Sequence, residues 1–140
     1  MLIEEVTGPA SRKVVTSAPR DTIADVVDLL KEYSIGAVVV TSDGRTIAGI
    51  ISERDVVRHL AAEQEGTLRL RVEELMTQNV LTCNAGDDIE EVMATMTGGH
   101  FRHMPVVDDK GVLVGIVSLG DLVDARLREL EASLRGPAGD

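Results

Sequence analysis

The chain has 140 residues and a formal charge of −10, 14 Lys and Arg standing against 24 Asp and Glu. That balance argues against a nucleic-acid partner, whose phosphates need a basic face, and with Tyr33 and Phe101 as the sole aromatics there is no platform on which bases could stack. Apolar residues make up 44%, enough for one compact domain or two tightly joined halves around an aliphatic core.

Val14–Thr16 reads as a short extended segment. Asp21 and Thr22 then offer a helix cap, with Asp25 three residues after Thr22 in a capping-box pattern. Ile23, Val26, Val27 and Leu30 follow at i, i+3, i+4 and i+7, the spacing of one helix face turned to a core. Ala37–Thr41 is β-branched and reads as a buried strand, Ser42–Arg45 as a turn, and Ile47–Ser52 as the return strand. A helix beginning near Glu53 places Val56, Val57 and Leu60 on one side, and Gly66 breaks the chain after it.

The same order then recurs. Leu81–Cys83 is extended, Asp88 caps a helix carrying Ile89, Val92, Met93 and Met96, strands at Met104–Val107 and Val112–Val117 flank a turn at Asp108–Gly111, and Leu119–Leu134 forms a final helix. Its apolar stripe, Leu122, Val123, Leu127, Leu130 and Leu134, suits either packing in the body or a partner. The recurrence is a duplication. At an offset of 66 residues, Ser11–Arg58 lies on Thr77–Asp124 without a gap, with twelve identical pairs, among them Gly49/Gly115, Ser52/Ser118 and Asp55/Asp121. The fold class expected is α/β (α+β), two β-α-β-β-α repeats. The boundaries are 1–66 with the N-terminal segment, 67–135, and a disordered tail at 136–140.

The duplicated motif has chemistry to offer. Gly49-Ile50-Ile51-Ser52-Glu53-Arg54-Asp55 runs from a strand end into a helix start, where free backbone N–H groups attract anions. Ser52 can cap the helix or bind a phosphate. Asp55, in the first turn, can accept two hydrogen bonds, as a ribose 2′,3′-diol would donate. Ser118 and Asp121 repeat the spacing. Both residue types are also plain helix-start residues, so one copy alone would say little. A cap does not require the preceding glycine, and the pattern occurs twice.

The paired G-h-h-S-x-x-D motif and the run FRHMPVVDDKGVLVGIVSLGDL, Phe101 to Leu122, resemble a tandem cystathionine-β-synthase (CBS) domain pair, or Bateman module, over about Ser11 to Arg126. The resemblance implies repeats related by a pseudo-twofold axis, with two clefts that bind adenosine compounds: AMP, ADP, ATP, NAD(H) or S-adenosylmethionine. It carries the ribose-holding role onto Asp55 and Asp121, with Ser52 and Ser118 beside them. It implies that Thr77 and Val80 face Ser52 and Asp55, and that Ser11 and Val14 face Ser118 and Asp121. Aliphatic residues such as Ala37, Met104 and Pro105 would enclose the adenine, which suits a chain so poor in aromatics. Arg102 and His103 stand where a basic pair points at phosphate; Gly36 and Ala37 replace them in the first repeat, so the two sites should differ in charge. Arg54 could reach a phosphate or pair with Glu53 or Asp55, and Lys13 is a further cation near Ser118 and Asp121.

Other chemistries find less support. His100-x-x-His103 with Cys83 falls short of a zinc signature. There is no phosphate-loop motif and no Ser-His-Asp set. Cys83 aligns with Ser17 and reads as a packed residue, and a single cysteine fits a reducing compartment. No apolar run approaches the about 18–20 residues of a membrane span, and the start MLIEEV carries acid where a signal peptide carries base. The expectation is a cytoplasmic, non-enzymatic regulatory module, with no required cofactor or metal. It would bind an adenine nucleotide, form a homodimer and act on an effector on another chain. The alternative is a constitutive dimerisation module with empty clefts.

Overall fold

A computed structural model describes residues 1–8, 14–63 and 65–135. The expected tail at 136–140 lies outside the described residues. The chain divides into two compact units, each built on a three-stranded sheet.

The unit of the first repeat spans Val14–Leu81 together with Gly111–Leu113. It runs β1 (Thr16–Ser17), α2 (Ile23–Tyr33), β2 (Ala37–Val40), β3 (Gly49–Ser52) and α3 (Glu53–Ala62), then a 3-10 turn (Thr67–Arg69) and a short α4 (Val72–Leu75). Strand order is β1-β2-β3, with β1 parallel to β2 and β2 antiparallel to β3, so that Ala37 stands opposite Ser52 and Val40 opposite Gly49. All four residues of β2 are buried, as the unbroken β-branched run requires of a central strand. The capping box is present: Thr22 Oγ1 accepts from Asp25 N at 3.3 Å and Asp25 Oδ2 from Thr22 N at 2.9 Å. At its other end α2 closes through Ser34 in the left-handed region (φ 52°), and Ile35 N donates to Leu30 O at 3.1 Å, a Schellman closure that turns Ile35 onto the core. Ile23, Val26, Val38, Val40 and Ile51 form that core, whereas Val27, expected within it, sits at the rim of the helix face, 37% exposed.

The unit of the second repeat contains β4 (Cys83–Asn84), α5 (Ile89–Gly99), β5 (His103–Val107), β6 (Leu113–Ser118) and α6 (Leu119–Leu134), with strand order β4-β5-β6. His100 (φ 58°) and Phe101 N→Met96 O (3.1 Å) reproduce the closure seen at Ser34 and Ile35. Here a Cβ at Gly99 would lie 2.2 Å from the Phe101 ring, so a larger residue would require that ring to shift. Asp88 takes the N-cap position of α5 but makes no capping hydrogen bond. Its carboxylate lies 3.8 Å from the Met1 ammonium instead.

The partition in space differs from the expected boundary at 66/67. Met1–Gly8 groups with the second repeat, and 67–81 with the first. The cause is a pair of short helices that the 66-residue alignment omits. α1 (Ile3–Thr7) packs on the second repeat through Ile3 N→Asp87 O and Ile89 N→Met1 O, with Leu2 bridged to Asp88. α4 packs on the first through Val72 N→Asp21 O and Ile23 N→Leu70 O, with Arg71 bridged to Thr22. Ile3-Glu4-Glu5-Val6 and Val72-Glu73-Glu74-Leu75 are themselves a repeat, at an offset of 69. Ile3 and Val72 are each fully buried.

Candidate functional site

Both motifs build the same helix start. Ser52 (φ −114°, ψ 163°) and Ser118 (φ −104°, ψ 155°) end β3 and β6 in extended backbone and cap α3 and α6. The first helical N–H is taken by the chain before the central strand: Glu53 N→Gly36 O at 2.9 Å, Leu119 N→Arg102 O at 2.8 Å. The third is taken by the cap: Asp55 N→Ser52 Oγ at 3.3 Å, Asp121 N→Ser118 Oγ at 3.1 Å.

The carboxylates differ. Asp55 Oδ2 turns back to accept from Ser52 N (2.8 Å) and Ser52 Oγ (3.1 Å), completing a capping box and half-burying the side chain. Asp121 is exposed, and among the described residues its carboxylate accepts no hydrogen bond. One repeat spends a carboxylate oxygen on its own backbone; in the other, no described residue bonds the carboxylate.

The motif glycines differ too. Thr77 pairs with β3 by Ile50 N→Thr77 O (3.0 Å) and Thr77 N→Ile50 O (2.9 Å). This draws Met76 and Thr77 onto Gly49, where a Cβ would stand 2.7 Å from Met76 Sδ and from Thr77 O. At Gly115 the nearest atoms are at 3.7 Å, on Thr7 and Val106, ordinary contact. The requirement for glycine at 49 is therefore steric, and the sequence signal for it was the glycine before two aliphatic residues and a serine.

The expected site residues sort as follows. Ser52, Asp55, Arg54, Ala37, Thr77 and Val80 all belong to the unit of the first repeat, with Ala37 opposite Ser52 and Thr77 bridged two residues before it. Val80 is half-buried. Arg54 is half-buried, and among the described residues it forms no ion pair with Glu53 or Asp55, so the pairing alternative is not realised. Ser118, Asp121, Arg102, His103, Met104 and Pro105 share the other unit; Met104 and Pro105 are buried in β5, His103 is half-buried at its start and Arg102 is exposed just before it. Val14 belongs to the unit of the first repeat and leads directly into β1. Ser11 and Lys13 lie outside the described residues.

Cys83 is buried, its Sγ 3.8 Å from Pro105 O, and burial pushes its pKa up to about 12, so the thiol stays protonated and unreactive. Among the described residues no group of three or more His, Cys, Asp or Glu is placed to hold a metal, and no helix is long and apolar enough to cross a membrane.

The CBS domain model matches residues 3–62 and 72–128, and the chain belongs to that family. The mitochondrial CBS domain-containing protein CBSX3 of Arabidopsis thaliana is 34% identical over 119 residues, 82% of this chain and 57% of that protein, so the chain spans little more than half of that relative. The crystal structure of the CBS-domain protein ATU1752 of Agrobacterium tumefaciens superposes with a TM-score of 0.83 at 38% identity, covering 90% of this chain and 99% of that one. Two ligand complexes are similar at 25% identity. One is the CBS pair of MJ0100 with 5′-methylthioadenosine and S-adenosylmethionine, with a TM-score of 0.77 over 90% of this chain and 99% of that one. The other is CBSX2 with AMP, with a TM-score of 0.73 over 91% and 96%.

Proposed function

We propose that this protein is a regulatory module without catalytic activity of its own, which binds an adenosine-containing ligand and passes its occupancy to an effector on another chain. The observation that carries the reading is the paired helix start, a serine cap with an aspartate at the third helical position in each repeat. Relatives of the same fold that hold AMP, 5′-methylthioadenosine and S-adenosylmethionine support adenosine as the shared part of the ligand. Asp121, whose carboxylate no described residue bonds, suits a vicinal diol better than Asp55, and Arg102 in the same unit suits a phosphate. The second repeat is therefore the stronger, phosphate-preferring site, and the first the weaker.

Melting curves with AMP, ADP, ATP, NADH and S-adenosylmethionine test this. A ligand at a hundredfold its Kd stabilises by about 2.7 kcal/mol, which moves the melting temperature by several degrees. No shift with any of the five at millimolar concentration would leave the constitutive dimerisation module standing instead.

A further inference from the structure

Asp43-Gly44 is the only Asp-Gly or Asn-Gly pair in the sequence. Such pairs isomerise readily, because glycine has no side chain to keep its amide nitrogen from the carboxyl carbon before it. Gly44 N attacks Asp43 Cγ and gives up its proton, one carboxyl oxygen leaves as water, and a succinimide ring closes. Water then opens the ring. Attack at Cγ restores aspartate; attack at the main-chain carbonyl leaves the chain running through Cβ and Cγ, as isoaspartate. The net change is an isomerisation, and the water released at closure balances the water taken up at opening.

The turn opposes each requirement of ring closure. The attacking nitrogen is occupied: Gly44 N donates to Thr41 Oγ1 at 3.1 Å. The carbon is held through its oxygens. Asp43 Oδ1 accepts from Thr46 N (2.7 Å), Arg45 N (2.8 Å) and Thr41 Oγ1 (3.1 Å), and Oδ2 accepts from Thr46 Oγ1 (3.2 Å). Turning Cγ toward Gly44 N breaks these bonds. The backbone donors at Thr46 and Arg45 also keep the carboxyl ionised, a form that resists nucleophilic attack. Gly44 itself sits at φ 78°, so the vulnerable glycine is not exchanged without strain.

The other repeat supplies an internal comparison. At the 66-residue offset Asp43-Gly44 lies on Asp109-Lys110, and Thr41 and Thr46 lie on Val107 and Val112. The aspartate followed by glycine is flanked by threonines; the one followed by lysine is flanked by valines. Val107 and Thr41 are both buried, so packing at this place does not call for a hydroxyl.

We propose that Asp43-Gly44 is a latent isoaspartate site, kept silent by the hydroxyls of Thr41 and Thr46. Conversion inserts a main-chain atom between β2 and β3, where Ala48 N→Val40 O (2.7 Å) closes the hairpin that leads to Ser52.

Prolonged incubation of the full chain at neutral pH tests this, with isoaspartate measured in the tryptic peptide 32–45. The free peptide of the same sequence sets the unprotected rate, and wild type should convert at a small fraction of it. Thr41→Val should convert about fivefold faster than wild type, the rate equivalent of about 1 kcal/mol, the net worth of the hydrogen bond lost at Gly44 N. Thr46→Val, at an exposed position, should convert faster by a smaller factor. Melting curves verify that each variant is folded at the incubation temperature; if Thr41→Val is not, Thr46→Val decides. A wild type that converts as fast as the free peptide, or folded variants that convert no faster than wild type, would overturn the proposal. So would a slower Thr41→Val, which would show its hydroxyl passing the Gly44 proton to Asp43 Oδ1 rather than restraining both.

Discussion

The first and second repeats reach the same helix start by the same two hydrogen bonds and then diverge in what surrounds it. The first is closed: Asp55 is folded into its capping box, and Gly49 is pressed by Met76 and Thr77. The second is open: Asp121 is unbonded among the described residues, and Gly115 has room. A duplicated scaffold keeps the backbone geometry and lets the side chains around it drift apart, one copy toward a closed cap and the other toward an exposed carboxylate.

The largest expected effect lies in the glycines. Gly49→Ala forces Met76 and the Thr77 carbonyl to move and should destabilise by about 2 kcal/mol, in the range of overpacking, while Gly115→Ala should be within about 0.5 kcal/mol of wild type; urea denaturation of the two compares them directly. Equal losses would remove the contrast. Next come the aspartates. Asp55→Ala breaks a capping box and should cost about 1 kcal/mol without ligand, whereas Asp121→Ala should leave melting nearly unchanged and abolish the stronger of the two binding events in calorimetry. Strong binding that survives Asp121→Ala and is lost in Asp55→Ala would reverse the assignment.

Smaller still is the effect of the turn after β2. Asp43 accepts from Thr46 N at 2.7 Å, Arg45 N at 2.8 Å and both neighbouring threonine hydroxyls, and these bonds hold its carboxyl well below the usual carboxylate range. A depressed folded pKa contributes stability above the ordinary aspartate value and loses it as pH falls through the folded value. Asp43→Ala should therefore melt lower at neutral pH, and the gap to wild type should narrow on acidification. The turn of the second repeat has Val107 and Val112 in place of Thr41 and Thr46, so Asp109→Ala should produce a smaller gap.

The elements that sequence made legible are those whose signal is local. The β2 run Ala37–Val40, the capping box at Thr22 and Asp25, and α6 from Leu119 to Leu134 are read from adjacent residues and stand where expected. The short helices α1 and α4 were missed because four or five residues carry no period, and because they repeat at 69 rather than 66. Their packing partners, Asp87 for Ile3 and Asp21 for Val72, are far along the chain. Site residues followed the same rule. Ser52 and Ser118 as caps are local chemistry; whether Asp55 or Asp121 spends its carboxylate on that cap depends on a side-chain rotation that spacing does not encode. Asp88 shows the converse, a good capping residue whose carboxylate lies nearer another charge.

The docking of α1 has a consequence for the order in which the chain can assemble. The residues that receive α4 are already made when α4 leaves the ribosome, and the first unit is nearly contiguous in sequence. Ile3–Thr7 is synthesised well before its acceptors at Ala85 and Asp87, which come some eighty positions later. Until then the buried face of Ile3 has no native surface to cover it. Closing so long a loop adds only a slowly growing entropic term, but it makes the docking of α1 a late event that joins early-made chain to a unit completed long afterwards.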